Sequence, residues 1–250
     1  MVGARLDVKK GSAMALLEVC VDNPVGLDAA VKGGADRIEL CSALEVGGLT
    51  PSPGLLARAR QAKRPIMAMV RPRSGDFRFS GADIDTMVSD IRVIRSTGLE
   101  GAVLGASNPD GTLDEFGLRR MVAAADGMEL VLHRAIDLAP DPVQAVELAI
   151  DIGFHRILSS GGAPKAIDGL DRLKTMVETA KGRITIMPGS GVTEENANHI
   201  LTTLGTDEIH ASCSVPVEAD DRCNALGFVP EGAKRTSATR VAALKASISA

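Results

Sequence analysis

The sequence predicts an α/β protein built as a single TIM (β/α)8 barrel, with a short N-terminal extension and a C-terminal loop plus helix. Eight short β-like runs alternate with helix-length segments, which is typical of βαβ units and a parallel sheet. The 250-residue length matches one such barrel. No Pro/Ser/Gly linker divides the alternation. We therefore expect one domain over residues 15–250 and a polar extension over residues 1–14.

The predicted strands are short apolar runs with polar residues at their C-terminal ends. Active sites of TIM barrels lie at those ends, so these polar residues are the candidate functional groups. The eight runs are residues 16–20, 37–41, 65–71, 101–105, 128–134, 156–161, 183–189 and 208–212.

The predicted helices carry start and stop signals. Asn23-Pro24 and Asp141-Pro142 each place a capping residue before a proline suited to the first helical turn, and glycines follow both segments. Residues 214–234 show no clear period, so we expect a loop that covers the barrel mouth. The remaining amphipathic segments are residues 53–63, 83–97, 114–125, 166–180 and 194–204, with a final Ala-rich helix at 236–248.

Composition excludes several classes of function. A net charge of −4 without a long basic run argues against nucleic acid, as does the absence of Trp and Tyr as stacking platforms. No apolar run reaches the length of a membrane span, and residues 1–15 contain too short an apolar run for a signal peptide. Four cysteines are too few for a secreted disulfide framework. We expect a cytoplasmic protein with free thiols.

Strand parity turns chemical groups towards the barrel axis. Leu17, Val19 and Val21 share one face of the first strand, and Glu18 and Cys20 share the other. The same alternation in the second strand opposes Ile38 and Leu40 to Glu39 and Cys41. An outer face packed on helices requires the apolar set, so both Glu-x-Cys pairs should point inwards, where an unpaired carboxylate is costly.

Charged residues at other strand ends complete a predicted catalytic set. We expect Arg71, His133 and His210 to join Glu18 and Glu39, with Arg71 keeping one carboxylate ionised while the other accepts a proton. A buried ion-pair network of purely structural role is the alternative. The candidate substrate-binding residues, from Arg-containing runs and Gly-rich loops, are Arg73, Arg134, Asp137, Ser160, Gly161, Gly189, Gly191 and Ser212.

The cysteine pair suggests a metal. Cys20 and Cys41 occupy matching positions on adjacent strands, where one soft ion such as Cu(I) or Zn²⁺ could bridge them, with Met67 or Met69 adding sulfur. Free cysteines are also common as buried core residues. No local CxxC or HxxxH spacing supports a metal site.

A set of motifs, in order, resembles the CutC family, known as copper homeostasis proteins. The motifs are LEVCVDNP, GGADRIELCSALEVGGLTPSPGLL, RPRSGDF, HRAID, RILSSGG, IMPGSGV and EIHAS, and they cover residues 16 to about 213. The resemblance implies a cytoplasmic TIM barrel, often a homo-oligomer (a dimer or tetramer), that binds Cu(I) through Cys20 and Cys41. The segment with Cys213 and Cys223 departs from the family pattern, as does Ser107-Asn108.

The sequence leaves three functions open. The first is Cu(I) binding, with no organic cofactor. The second is a lyase, isomerase or hydrolase that acts on a small anionic or sugar-like substrate through Glu, His and Arg. The third is a non-catalytic barrel that works through a partner surface, although no aromatic-rich segment favours it. Copper binding is the prediction, and the enzyme is the alternative.

Overall fold

A computed structural model describes residues 15–218 and 220–249, so the predicted extension at residues 1–14 lies outside the described residues. Eight parallel strands form one sheet in the order β7-β6-β5-β4-β3-β2-β1-β8, and the two end strands β7 and β8 pack against each other. The predicted TIM barrel is confirmed. The strands are β1 Leu16–Val21, β2 Arg37–Leu40, β3 Ile66–Met69, β4 Gly101–Leu104, β5 Glu129–Leu132, β6 Arg156–Ser159, β7 Thr185–Pro188 and β8 Glu208–Ala211.

Helices connect these strands and surround the barrel. The predicted caps are formed: the Asn23 side chain accepts a hydrogen bond from the Gly26 N–H, and Asp141 accepts two from the Val143 and Gln144 N–H groups. The helices are α1 Pro24–Gly33, α2 Pro53–Ala59, α3 Gly81–Thr97, α4 Glu115–Ala124, α5 Pro142–Ile152, α6 Leu170–Ala180, α7 Ala197–Leu204, α8 Asp221–Ala225 and α9 Ala238–Ser247.

The segment predicted as a loop at residues 214–234 is partly ordered, which corrects that prediction. Strands β9 (Ser214–Pro216) and β10 (Lys234–Thr236) form an antiparallel pair, and α8 lies between them. Three-residue strands are too short to show a period in the sequence. Ser214 and Lys234 border the barrel mouth, so the pair lies beside the opening.

The core has two apolar layers, and strand parity decides which residue belongs to which. The larger layer lies between the sheet and the helices and includes Leu17, Val19 and Ile38. Alternation along each strand sends the other side chains inwards. That inner layer consists of Cys41, Met67, Met69, Val103, Val131, Leu158 and Met187, with Leu44 packed against it.

None of the helices in the described part of the chain combines the length and apolar character needed to cross a bilayer.

Candidate functional site at the barrel mouth

A cavity of about 480 Å³ opens at the C-terminal ends of the barrel strands. We call it the central cavity. Five of its lining residues were predicted from the sequence as catalytic residues or metal ligands. They are Cys20, Glu39, Arg71, His133 and His210. Parallel strands bring their carboxyl ends to one rim, which is why residues far apart in sequence meet here.

The floor below the cavity is a buried ion pair. Glu18 is fully buried, and Arg37, from the neighbouring strand, forms a salt bridge with it. Arg37 also binds Glu208 at 2.5 Å. Burial alone would raise the pKa of Glu18, but the Arg37 charge and the His210 hydrogen bond lower it to about 2. Glu18 therefore stays ionised at the bottom of the site.

The prediction that Arg71 keeps a carboxylate ionised is wrong, because Arg37 has that role. The Arg71 side chain binds three backbone carbonyls and no carboxylate in the described part of the protein. The sequence did contain the signal for Arg37: it shares strand parity with Glu39 and Cys41, and so faces inwards.

His210 links the floor to the cavity. Its Nδ1 lies 2.8 Å from Glu18 Oε1, and its Nε2 lies 3.9 Å from Glu39 Oε2. Burial opposes a charge on the ring, but the Glu39 carboxyl and the Glu18 hydrogen bond raise the pKa of His210 well above its ordinary value. The ring therefore favours the protonated form when no ligand is bound.

Glu39 has the opposite tendency to Glu18. Burial raises its pKa, and the nearby Glu18 charge raises it further, against the influence of His210. One of its oxygens, Oε1, is buried and has no hydrogen-bond partner among the described residues. The two neighbouring carboxyl groups thus differ: the pKa of Glu18 is lowered, so that it is held as a carboxylate, and the pKa of Glu39 is raised.

Cys20, Glu39 and His210 form the cluster that could hold a metal ion. Their Sγ, carboxylate oxygen and ring nitrogen all lie within 4.8 Å of one another, and all three residues are buried. Thiolate, imidazole and carboxylate are established ligands of Zn²⁺, and the first two also suit copper. The residues present therefore fit a transition-metal ion.

The expectation that Cys20 and Cys41 occupy matching positions is wrong. The register of the first two strands pairs Cys20 with Glu39, so Cys41 lies two residues further along the chain, just beyond the end of β2. Cys41 is fully enclosed, with its Sγ 3.6 Å from Glu39 Oε2. Burial raises the pKa of its thiol well above the ordinary value.

The β6 loop does not offer its backbone to a ligand. The Ser160 and Gly162 N–H groups donate to the Asp137 carboxylate, as does the Ser160 hydroxyl. Ser159 binds the same carboxylate at 2.6 Å. Asp137 thus fills the place where an anion would bind, and neither Ser160 nor Gly161 lines the central cavity.

The other predicted substrate-binding residues divide into two groups. Gly191, Ser212 and Arg134 line the cavity, although Arg134 also forms a salt bridge with Asp137 at 2.8 Å. Arg73 binds Asp76 and Asp83, and neither it nor Gly189 is among the lining residues.

Among the charged and thiol-bearing residues that line the cavity, sequence reasoning missed three, besides Arg37 below them. Cys213 and Lys234 come from the β8–β10 region, and Arg240 comes from α9. Burial raises the pKa of Cys213 to about 12. No strand pattern points to these residues, since tertiary packing alone brings the C-terminal segment to the rim.

The fold and the site define a TIM-barrel protein with an open cavity and a candidate metal cluster at its mouth. A family model, the CutC family, matches residues 15–215. A CutC family protein from Sinorhizobium medicae is 50% identical over 236 residues, which cover 94% of this chain and 96% of that protein. The chain belongs to the CutC family, as its motifs predicted.

More distant relatives share the family name or the fold. The human copper homeostasis protein cutC homolog is 43% identical over 198 residues, 79% of this chain and 72% of that protein. The crystal structure of a CutC protein from Streptococcus agalactiae superposes with a TM-score of 0.76 at 32% identity, and covers 80% of this chain and 99% of that one. A thiamine phosphate pyrophosphorylase from Pyrococcus furiosus, at 16% identity and a TM-score of 0.59, shares the fold.

Proposed function

We propose that this protein binds Cu(I) at the barrel mouth through Cys20 and His210, with Glu39 beside them. The observation that carries the proposal is the convergence of these three buried groups within 4.8 Å. Thiolate and imidazole are ligands that copper accepts. Relatives that bear the name copper homeostasis protein favour copper over zinc as the cargo.

His210 is oriented for this role. With Nδ1 turned towards the Glu18 carboxylate, Nε2 is the nitrogen that faces the cluster. A carboxylate that accepts from the second ring nitrogen is the common outer partner of a metal-binding histidine, since it fixes the tautomer and the ring orientation. The Glu18–Arg37 ion pair would hold the His210 ring in this orientation.

Competition for Cu(I) against a chromophoric chelator, under anaerobic conditions, tests the proposal. We expect one Cu(I) per chain, and at least a tenfold loss of affinity in Cys20→Ser and in His210→Gln. Cys223→Ser is the matched control, because Cys223 is exposed and outside the cavity. Unchanged affinity in both cavity variants, or tight binding of Zn²⁺ with no uptake of Cu(I), would refute the proposal.

The family resemblance also assigns Cys41 to the metal. We propose that Cys20 is the principal thiolate and that Cys41 contributes less, because Cys41 is enclosed beside Glu39. Gly48 covers it: at φ +84°, an added Cβ on Gly48 would lie 3.0 Å from Cys41 Sγ. In the same assay, Cys41→Ser should keep its Cu(I) affinity within about threefold. A loss equal to that of Cys20→Ser would establish a two-thiolate site.

Acid–base catalysis is the second candidate function, and the opposite pKa shifts of Glu18 and Glu39 favour it. Two carboxyl groups with separated pKa values are typical of sites that use one acid and one base. A panel of sugar acids and sugar phosphates, incubated with the protein in D₂O and followed by proton NMR, should then show conversion or exchange that Glu39→Gln abolishes. No change with any compound would remove this candidate.

Cytoplasmic location and a dimeric or tetrameric state, which the family resemblance implies, are further parts of the proposal. Sedimentation velocity on the purified full chain tests the second of these, and a single species at the monomer mass would contradict it.

A further inference from the structure

Arg71 is a buried cation without an anionic partner among the described residues. Its side chain is 4% exposed, and its guanidinium donates to the carbonyls of Val46, Gly48 and Gly75 at 2.8, 3.0 and 2.8 Å. The Phe77 ring lies 5.0 Å from its central carbon. Carbonyl dipoles and a ring offset part of the cost of burying this charge, but no carboxylate neutralises it.

The guanidinium also has hydrogen-bonding capacity to spare. Arginine carries five N–H donors, and three carbonyls occupy three of them. Among the described residues Nε is buried without a partner, and Nη2 makes one bond of the two that it can make. The Nε–Nη2 edge of an arginine is the fork that binds a carboxylate through two parallel hydrogen bonds.

His133 contributes a second unused donor on the same wall of the cavity. Its Nδ1 accepts a hydrogen bond from the Ala135 N–H at 3.2 Å, so in the neutral ring the proton is on Nε2. Burial and the nearby Arg71 charge lower the pKa of His133 to about 3, which keeps the ring neutral. Nε2 is buried and has no partner in the described part of the chain.

The His133 ring is fixed in this position. Phe77 packs against it with ring centroids 4.7 Å apart. On its other side lies Gly105, where an added Cβ would come within 2.5 Å of the ring. Phe77 thus packs against both the Arg71 and the His133 side chains, which carry the two unused N–H groups.

The charges around the cavity favour an anion. Arg134 is offset by Asp137, Arg240 by Glu194 and His210 by Glu18. Arg71 and Lys234 also line the cavity, and neither forms a salt bridge within the described residues. The part of the lining that the structure describes is therefore cationic, with Glu39 as its one carboxyl group.

We propose that the wall formed by Arg71 and His133 binds a small hydroxy or oxo acid. The Nε–Nη2 edge of Arg71 takes the ligand's carboxylate, and His133 Nε2–H donates to a hydroxyl or carbonyl oxygen of the same molecule. A cavity of about 480 Å³ is of a size that encloses small organic ligands. This site uses donors that take no part in metal binding, so it stands or falls separately from the copper proposal.

The test uses D-gluconate as the probe, with D-sorbitol and inorganic phosphate as comparisons. Gluconate and sorbitol share a polyol chain and differ at the carboxylate, and phosphate reports on an oxyanion that lacks the chain. With metal-free protein and a chelator present, we expect gluconate to raise the melting temperature saturably, because a ligand that binds the folded state stabilises it. Sorbitol should have no comparable effect, and phosphate a smaller one.

Two variants assign the binding to the wall. Arg71→Lys keeps the charge but loses the planar fork, and we expect at least a tenfold loss of gluconate affinity by calorimetry. His133→Phe keeps a ring against Phe77 and removes the donor, with an expected loss of about tenfold. Arg183→Lys is the matched control, since Arg183 pairs with Glu147 on the protein surface.

A second measurement keeps the test valid if a variant fails to fold. In the wild-type protein labelled with methyl-¹³C methionine, gluconate should shift the Met69 resonance, because Met69 lines the cavity; Met69→Leu assigns the peak. Equal effects of gluconate and sorbitol, no response to gluconate, or wild-type affinity in Arg71→Lys would each overturn the inference. Stronger binding of phosphate than of gluconate would overturn the assignment to a carboxylate.

Discussion

Arg37 and Glu18 form a salt bridge across the first two barrel strands, and both side chains are almost completely enclosed. The pair lies directly beneath His210, whose Nδ1 contacts the same Glu18 carboxyl group.

Arg37→Met should destabilise the protein by about 3–5 kcal/mol, because it leaves the Glu18 charge buried without its main partner. Guanidinium denaturation followed by circular dichroism measures this, since the chain has no Trp or Tyr for fluorescence. Arg58→Met, which breaks an exposed pair with Asp28, is the control and should change stability little. Similar losses in the two variants would show that the buried pair has no special weight.

Stability should fall as the pH drops from about 6.5 towards 3, in part because of His133. Its pKa is lowered to about 3 in the folded protein, so unfolding takes up a proton at any pH between the two values. The stabilisation from this group is fully present above pH 6.5 and is lost as the pH falls. Glu18, with its pKa lowered to about 2, adds a separate loss below about pH 4.5.

The measurement is the free energy of unfolding at several pH values between 7 and 4.5. His133→Phe should flatten the slope over this interval, on the order of 1 kcal/mol or more for each pH unit well below 6.5. His199→Asn is the control, because His199 is exposed on α7, and its slope should match that of the wild type. An unchanged slope in His133→Phe would contradict the prediction.

Gly105→Ala should displace the His133 ring. An added Cβ would lie 2.5 Å from the imidazole, and the packed wall leaves little room for relief. Overpacking of this kind typically costs about 1–3 kcal/mol. Gly81→Ala is the matched control: no atom lies within 4 Å of its added Cβ, and the position is the first residue of α3. Thermal denaturation of both variants decides, and equal melting temperatures would contradict the geometry.

Thiol reactivity should distinguish the three cysteines other than Cys20. In a Cys20→Ser background, we expect one thiol, that of exposed Cys223, to react quickly with Ellman's reagent. Cys41 and Cys213 should react slowly, because burial raises the pKa of both thiols and the thiolate is the reactive species. In denaturant, both thiols should react quickly. A second fast thiol in the native variant would show that the barrel interior is open to the reagent.

The fold could be read from the sequence because the barrel depends on a repeated local pattern. Alternation in LLEVCV and RIEL assigned Leu17 and Ile38 to the helix side and Cys20 and Glu39 to the axis, as the structure has them. Caps such as Asn23 follow equally local rules. The inward position of the predicted groups on the strands followed from this alternation.

Pairing between those groups could not be read in the same way. Parity gives the face that a residue occupies, but the register of neighbouring strands sets its height, and so Cys20 lies opposite Glu39 and not Cys41. Contacts through loops are equally non-local: Asp137 fills the β6 loop, and Arg240 reaches the rim from the last helix.

By itself, then, the sequence determined the barrel, the family and the inward direction of Glu18, Cys20, Glu39 and Cys41, because each depends on spacing along one strand or on contiguous motifs. The tertiary structure decided which charges neutralise one another. It paired Arg37 with Glu18 in a salt bridge, whereas Arg71 donates its hydrogen bonds to backbone carbonyls. The physical reason is that the energy of a buried charge depends on neighbours a few ångströms away in space. Barrel closure makes neighbours of residues that are far apart in the chain.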